Sequence, residues 1–242
     1  MVSLMRRWAL ALVALLSVVA GSAGSASAGP GCGWPGAQRL VPRGVLRGDI
    51  DADGRLDTVS VVARYRAAPG CRLALRVRLG TGISLFQPLV DDPRTTGERL
   101  RRQPWPRLIS LVTIDPQPGL EPVVSTQLGP STVFVSIFAI HRGRLVRLLV
   151  DESAFGGGVS GVASAVDCWH GAGSGEVVSS FAQSDVRGWA VSRSLYRLVG
   201  PGFRSPTVLP PVRVKNLGAL PEFHSPGLGI FPSCTVARVP HP

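Results

Sequence analysis

Three aspartates at alternate positions, a glycine, and a fourth aspartate three residues beyond it run through Gly48-Asp49-Ile50-Asp51-Ala52-Asp53-Gly54-Arg55-Leu56-Asp57. Carboxylates crowded on so short a turn repel one another unless a cation gathers them, and a donor set made only of oxygens selects a hard ion such as calcium. Gly54 permits the sharp reversal that folds the acidic side chains around one centre, and the Arg55 carbonyl can add a neutral oxygen. The expected ligands are therefore Asp49, Asp51, Asp53, Asp57 and the Arg55 carbonyl, with calcium as the ion.

The residues after Asp57 decide which element positions the loop. EF-hand and dockerin loops open in the same way, but they need a carboxylate at the twelfth position and then a helix. Here the twelfth position is Ser60. Val59, Val61, Ala63 and Tyr65 fall on one face of a period-two strand, with Thr58, Ser60, Arg64 and Arg66 on the other. A calcium-type turn feeding a strand resembles the FG-GAP (VCBS-type) repeat, the loop unit of integrin-like β-propellers. That resemblance implies an all-β, propeller-like fold with a calcium-stabilised loop, and it specifies no substrate or partner.

Internal repetition extends the pattern. Aligned without a gap, Thr113 to Val124 matches Asp49 to Ser60, placing Asp115 on Asp51, Gln117 on Asp53 and Glu121 on Asp57. Thr113 and Gln117 offer only neutral oxygens and Pro118 replaces the glycine, so this second loop is expected to keep its turn and hold no ion. A third copy is fainter: Val166-Asp167-Cys168, the glycine-rich Gly171 to Gly175, then Glu176-Val177-Val178. The closing acids Asp57, Glu121 and Glu176 lie 64 and 55 residues apart, the spacing of a repeat array.

Between these loops the chain alternates like strands. In Cys71 to Leu79 the odd positions face a core and Arg72, Arg76 and Arg78 face water, with Ala67-Ala68-Pro69-Gly70 as the turn before it. Strands are also expected over 131–140 and 144–150, joined at His141-Arg142-Gly143, and over 189–199 and 203–208. The stretch 91–107, with Pro93, Pro104, Pro106 and the group Arg99, Arg101, Arg102, reads as a loop with a solvated basic surface. Units of about 45–106, 107–160 and 161–209 result, then a Pro-rich tail over 210–242. Three units are fewer than a closed propeller needs, so the expected architecture is a small or incomplete propeller, to which the chain ends could add a fourth unit.

The ends set the compartment. Arg6-Arg7, the apolar run from Trp8 to Ala20 and Ala26-Ser27-Ala28 read as a signal peptide over 1–28, leaving a single domain over 29–242. As a helix the apolar run spans roughly 20 Å, short of the roughly 30 Å of hydrocarbon. Twin-arginine and lipoprotein readings fit the flanking residues poorly. No later stretch reads as membrane-spanning, and the expected location is secreted, extracellular.

Removing Arg6 and Arg7 from 26 basic against 15 acidic residues leaves a net charge of about +9. Lys215 is the only lysine, so the charge is arginine, as a GC-rich coding bias of the actinobacterial kind would give. Such a surface suits an anionic cell-wall polymer or another extracellular protein, without implying specific nucleic-acid binding. Four cysteines in an exported chain imply two disulfides. Cys32–Cys71 with Cys168–Cys234 staples each half, and a Cys32–Cys234 bond joining the two ends is the rival pairing.

Competing chemistry is thin. Arg47-Gly48-Asp49 spells the integrin-read tripeptide, but its aspartate is the first expected ion ligand. Gly156 to Gly161 lacks the Lys and Ser/Thr of a phosphate loop and the spacing of a nucleophile elbow, and reads as a flexible linker. His141, His170, His224 and His241 show no zinc spacing, and His170 reads as a loop residue. Asp151, Glu152 and Asp185 could supply paired carboxylates for glycoside cleavage, with no accompanying motif. The expected function is a secreted, non-catalytic binding or structural module with a calcium-stabilised loop; the alternative is a secreted hydrolase acting on cell-wall or environmental polysaccharide.

Overall fold

The computed structural model describes residues 32, 34, 41–89, 94–103, 105–128, 133–148, 154–155, 161–224 and 230–238, all within the unit Gly31–Pro242. Residues 1–28, read from the sequence as a signal peptide, Asp151, Glu152, the glycine run up to Ser160 and His241 lie outside the described residues.

The chain is all-β, an incomplete propeller-like array. β1 (Val41–Gly48), β2 (Asp57–Ala63), β3 (Leu73–Arg78) and β4 (Ser84–Pro88) form an antiparallel meander in that order. A short helix, α1 (Gly97–Arg102), leads to β5 (Arg107–Val112), β6 (Glu121–Leu128), β7 (Val133–His141) and β8 (Arg144–Arg147), a second meander to which β9 (Ala154–Phe155) adds beside β7. The third comprises β10 (Val162–Cys168), β11 (Glu176–Asp185) and β12 (Gly188–Val199), with β13 (Gly202–Phe203) and β14 (Thr207–Val214) both on β12. The tail makes 3-10 turns at Leu217–Ala219 and Pro221–Phe223, then returns as β15 (Thr235–Arg238) beside β5.

Side-chain alternation explains the stacking. Val59, Val61, Ala63, Leu73, Leu75 and Val77 share a core with Leu108, Leu111, Val124 and Phe138 of the middle sheet. From the same middle strands, Val112, Val123, Val135 and Ile137 enter a second core with Val166, Val177 and Phe231. The middle sheet is thus buried on both faces, which is why β7 reads as apolar on both.

Both outer faces are capped by chain ends. On the first sheet, Val62 and Ala74 are buried with Trp34, whose ring stacks on Phe86 with centroids 6.0 Å apart. The even face of β3 is accordingly not left to water as its arginines suggest: Ala74 is buried and Arg76 half-buried. On the third sheet, Ser180 donates to Glu222 Oε1 at 2.8 Å and Ser233 N donates to Asp167 Oδ1 at 2.8 Å, docking the tail over a face that includes Val178 and Ala182. An outer sheet needs such a cover, because it would otherwise expose an apolar face.

Two sequence expectations change. The loop over 91–107 contains α1, which Thr96 caps by accepting from Arg99 N at 3.2 Å and which buries only Leu100. The tail is structured well past Pro210: Pro210-Pro211 sit on β14, which pairs only with β12 among the described residues, at a register shift opposite Val191 and Arg193. An edge strand tolerates prolines because its open side needs no N–H donor.

Cys32–Cys71 and Cys168–Cys234 are the disulfides, and no described cysteine is free. Such bonds belong to an oxidising compartment. The second closes 66 residues and ties the tail to β10. The double variant C168A/C234A is expected to lose about 3 kcal/mol in denaturant unfolding; a loss under about 1 kcal/mol would show that the Asp167 and Glu222 contacts hold the tail unaided.

Candidate metal centre

The three loops aligned in the sequence are the β1–β2, β5–β6 and β10–β11 connections, and each closing acid (Asp57, Glu121, Glu176) is the first residue of the strand after its loop. The loops touch in series. A Cβ on Gly119, at φ +129°, would come within 2.7 Å of the Ile50 carbonyl oxygen, so the second loop lies against the first. Gly173 N and Gly175 N donate to the Thr113 and Ile114 carbonyls at 2.9 and 2.7 Å, so the third lies against the second.

In the first loop the backbone coils around its own carboxylates. Asp49 accepts from Asp53 N at 3.1 Å and from Gly54 N at 3.0 Å through separate oxygens. Ala52 and Gly54 take left-handed φ of 62° and 81°, the reversal expected of Gly54. Asp57 is fully buried, its Oδ2 accepting from Ile50 N and its Oδ1 from Gly80 N, each at 2.8 Å.

The result brings together one carboxylate oxygen from each of Asp49, Asp51 and Asp57, all within 4.8 Å of one another. Asp53 is exposed and stands outside that group, accepting from Arg55 N at 2.8 Å. Burial, then the neighbouring charges of Asp57, Asp53 and Asp49, push the Asp51 carboxyl above its ordinary range. Each carboxylate has about four lone-pair sites, and the amide bonds to Asp49 and Asp57 use two apiece. Oxygens thus remain for a cation, and a set of three hard anionic donors fits calcium. Asp49 Oδ1 and Oδ2 are both turned into the loop, so Arg47-Gly48-Asp49 does not present its carboxylate as a receptor ligand would need.

The other loops have different chemistry. Glu121 repeats the Asp57 contact, accepting from Ile114 N at 2.7 Å, but burial pushes its carboxyl up to about 8, so near neutral pH it is an acid rather than an anion. Glu176 is ion-paired within the protein: Arg197 Nε lies 2.8 Å from its Oε1, and His170 Nδ1 lies 3.1 Å from its Oε2. Sequence reasoning missed Arg197 because it reaches Glu176 only through the β11–β12 register, in which the two are directly opposed. Asp167, read as the opening acid of the third copy, instead lies buried on β10 and binds Ser233. Burial raises its pKa as well.

Among the hydrolase candidates, Asp185 is exposed, with both oxygens 2.8 Å from Arg213 Nη1. That contact holds it below the usual carboxylate range. His224 binds the Gly218 carbonyl at 2.6 Å and His141 ends β7, so neither joins the acidic group. No helix among the described residues is long and apolar enough to cross a membrane.

No protein-family model, curated protein or solved structure matches the chain.

Proposed function

We propose that the protein is an extracellular, non-catalytic binding or structural module of FG-GAP-like units, and that Asp49, Asp51 and Asp57 hold calcium in its first loop, with Asp53 and the Arg55 carbonyl closing around it. The observation that carries this reading is the convergence of the three carboxylate oxygens on a backbone that has already turned. A divalent cation there would cancel repulsion among the aspartates and tie the end of β1 to the start of β2. The other two loops support a single site, because one closing acid is buried and protonated and the other is ion-paired.

Extracellular calcium modules commonly bind at roughly 0.1–1 mM. With calcium tenfold above its dissociation constant, mass action stabilises the fold by about 1.4 kcal/mol. Differential scanning calorimetry should show the melting temperature rising with calcium in the wild type. That rise should vanish in Asp51→Ala and persist in Asp115→Ala. Absence of both binding heat and a melting shift at millimolar calcium would overturn the assignment.

A further inference from the structure

We propose that the outer face of the first sheet holds one small inorganic anion, of the chloride class, between Ser60, Arg76 and Trp34. The site is separate from the acidic loop and independent of the calcium reading.

Strand register settles which side chains share that face. Val59, Val61, Leu75 and Val77 enter the core, so Ser60 on β2 and Arg76 on β3 leave the sheet on its other side. Ser60 lies directly opposite Arg76, and Arg76 lies directly opposite Phe86. Side chains so opposed start about 5 Å apart. The Trp34 ring stacks on Phe86 with centroids 6.0 Å apart and packs on Val62 and Ala74, the next opposed pair along the same face. Ser60, Arg76 and Trp34 therefore meet in one neighbourhood beneath the N-terminal cap.

Each of the three brings a donor that lacks an acceptor. Ser60 Oγ, Arg76 Nε and Trp34 Nε1 are all buried without a hydrogen-bond partner. Indole and guanidinium N–H groups only donate, and a serine hydroxyl can. Buried donors are met in folded proteins, by protein, water or an ion, because leaving them unmet is costly. Charge points to the anion. The outward positions of β1 to β4 carry Arg47, Arg76 and Arg78 and no acid, while Asp57 lies on the side of Val59 with its oxygens on Ile50 N and Gly80 N. The Arg64 guanidinium carbon adds positive charge 5.4 Å from the centroid of the Trp34 ring, and Arg64 Nη1 already occupies the Cys32 carbonyl, which is packed against this cluster. A water would accept from only part of the set and bring protons that need acceptors of their own. Burial sets the size: Ser60 is fully buried and Trp34 only 7% exposed, so a polymer or a bulky oxyanion has no way in, whereas an ion of atomic size accepts from several directions at once.

The test titrates the oxidised protein with sodium chloride at constant ionic strength, made up with sodium gluconate, in chelator so that the calcium loop is silent. The indole N–H resonance of Trp34, assigned by its loss in W34F, should shift saturably with chloride and with bromide. R76Q should abolish that shift, and S60A should weaken chloride binding at least about tenfold, the loss of one hydrogen bond to a charged group. R78Q, which removes an exposed charge from the same face, should change it by less than about threefold. Melting temperatures give a sign that a purely structural Ser60 would not. Without chloride, S60A removes a hydroxyl that has no partner and should melt no lower than wild type, whereas in saturating chloride it should melt below it. S60A carries the test should R76Q fold poorly. Absence of a chloride-dependent shift, an equal response to gluconate, or an S60A deficit that is the same with and without chloride would overturn the proposal and leave water as the acceptor.

Discussion

Asp57→Ala is expected to destabilise the protein by about 3 kcal/mol in calcium-free buffer. The reason lies in the backbone: Asp57 is fully buried, and its two oxygens satisfy Ile50 N and Gly80 N, which belong to the loop after β1 and to the turn after β3. Removing the acceptor strands both amides, and a buried donor left unsatisfied costs roughly 1–3 kcal/mol. Asp57→Asn keeps one acceptor oxygen and should lose about half as much. Asp51→Ala should behave differently. It removes a carboxylate whose bond from Asp53 N is long, at 3.4 Å, so it should leave calcium-free stability nearly unchanged while abolishing the response to calcium. Urea unfolding in chelator and in millimolar calcium, run on all three variants, separates the roles. If Asp57→Ala matches wild type in chelator, the residue is a ligand and not a pin of the fold.

The contrast between Asp57 and Asp51 marks how much of the site was legible in the chain. The loop, its glycine turn and the strand after it arise from the spacing of acids and from period-two alternation, both local properties. The match of Thr113–Val124 to the first loop also carries through to a shared contact, since Ile114 N meets Glu121 as Ile50 N meets Asp57. Spacing does not carry the direction of each carboxylate. Asp53 turns to its own local amide, and Asp57 reaches across to Gly80, a partner set by the β2–β3–β4 meander. Packing between distant segments was equally hidden. Trp34 covers Val62 and Ala74 from a stretch with no periodicity, and Glu222 reaches Ser180 from a Pro-rich tail. The helix α1 escaped because a hydrophobic stripe of one residue, Leu100, gives no helical period. Its legible signal was Thr96 as a cap, with Glu98 and Arg102 four apart.

Glu121 gives the protein a stability that falls as pH rises, opposite in sign to the usual behaviour of a salt-bridged carboxylate. Burial raises its carboxyl from the ordinary 4.5 to about 8, with the charge of Asp115 adding to the rise, while the Ile114 amide offsets part of it. Below about 4.5 the folded and unfolded chains both hold the proton, and the full contribution is present. Between there and about 8 the folded chain keeps a proton that the unfolded chain has released, so stability drops with every unit of pH. The whole window amounts to roughly 3–5 kcal/mol, at 1.36 kcal/mol per unit. Glu121→Gln keeps an oxygen for Ile114 N and carries no charge at any pH, so it should match wild type near pH 4 and exceed it by that amount near pH 8. Asp167 and Asp51 are also raised and contribute the same sign, which is why the measured quantity is the difference between wild type and variant at each pH. A difference that stays flat from pH 4 to pH 8 would mean that Glu121 is ionised in the folded protein, and the second loop would then offer an anionic oxygen to a cation as the first one does.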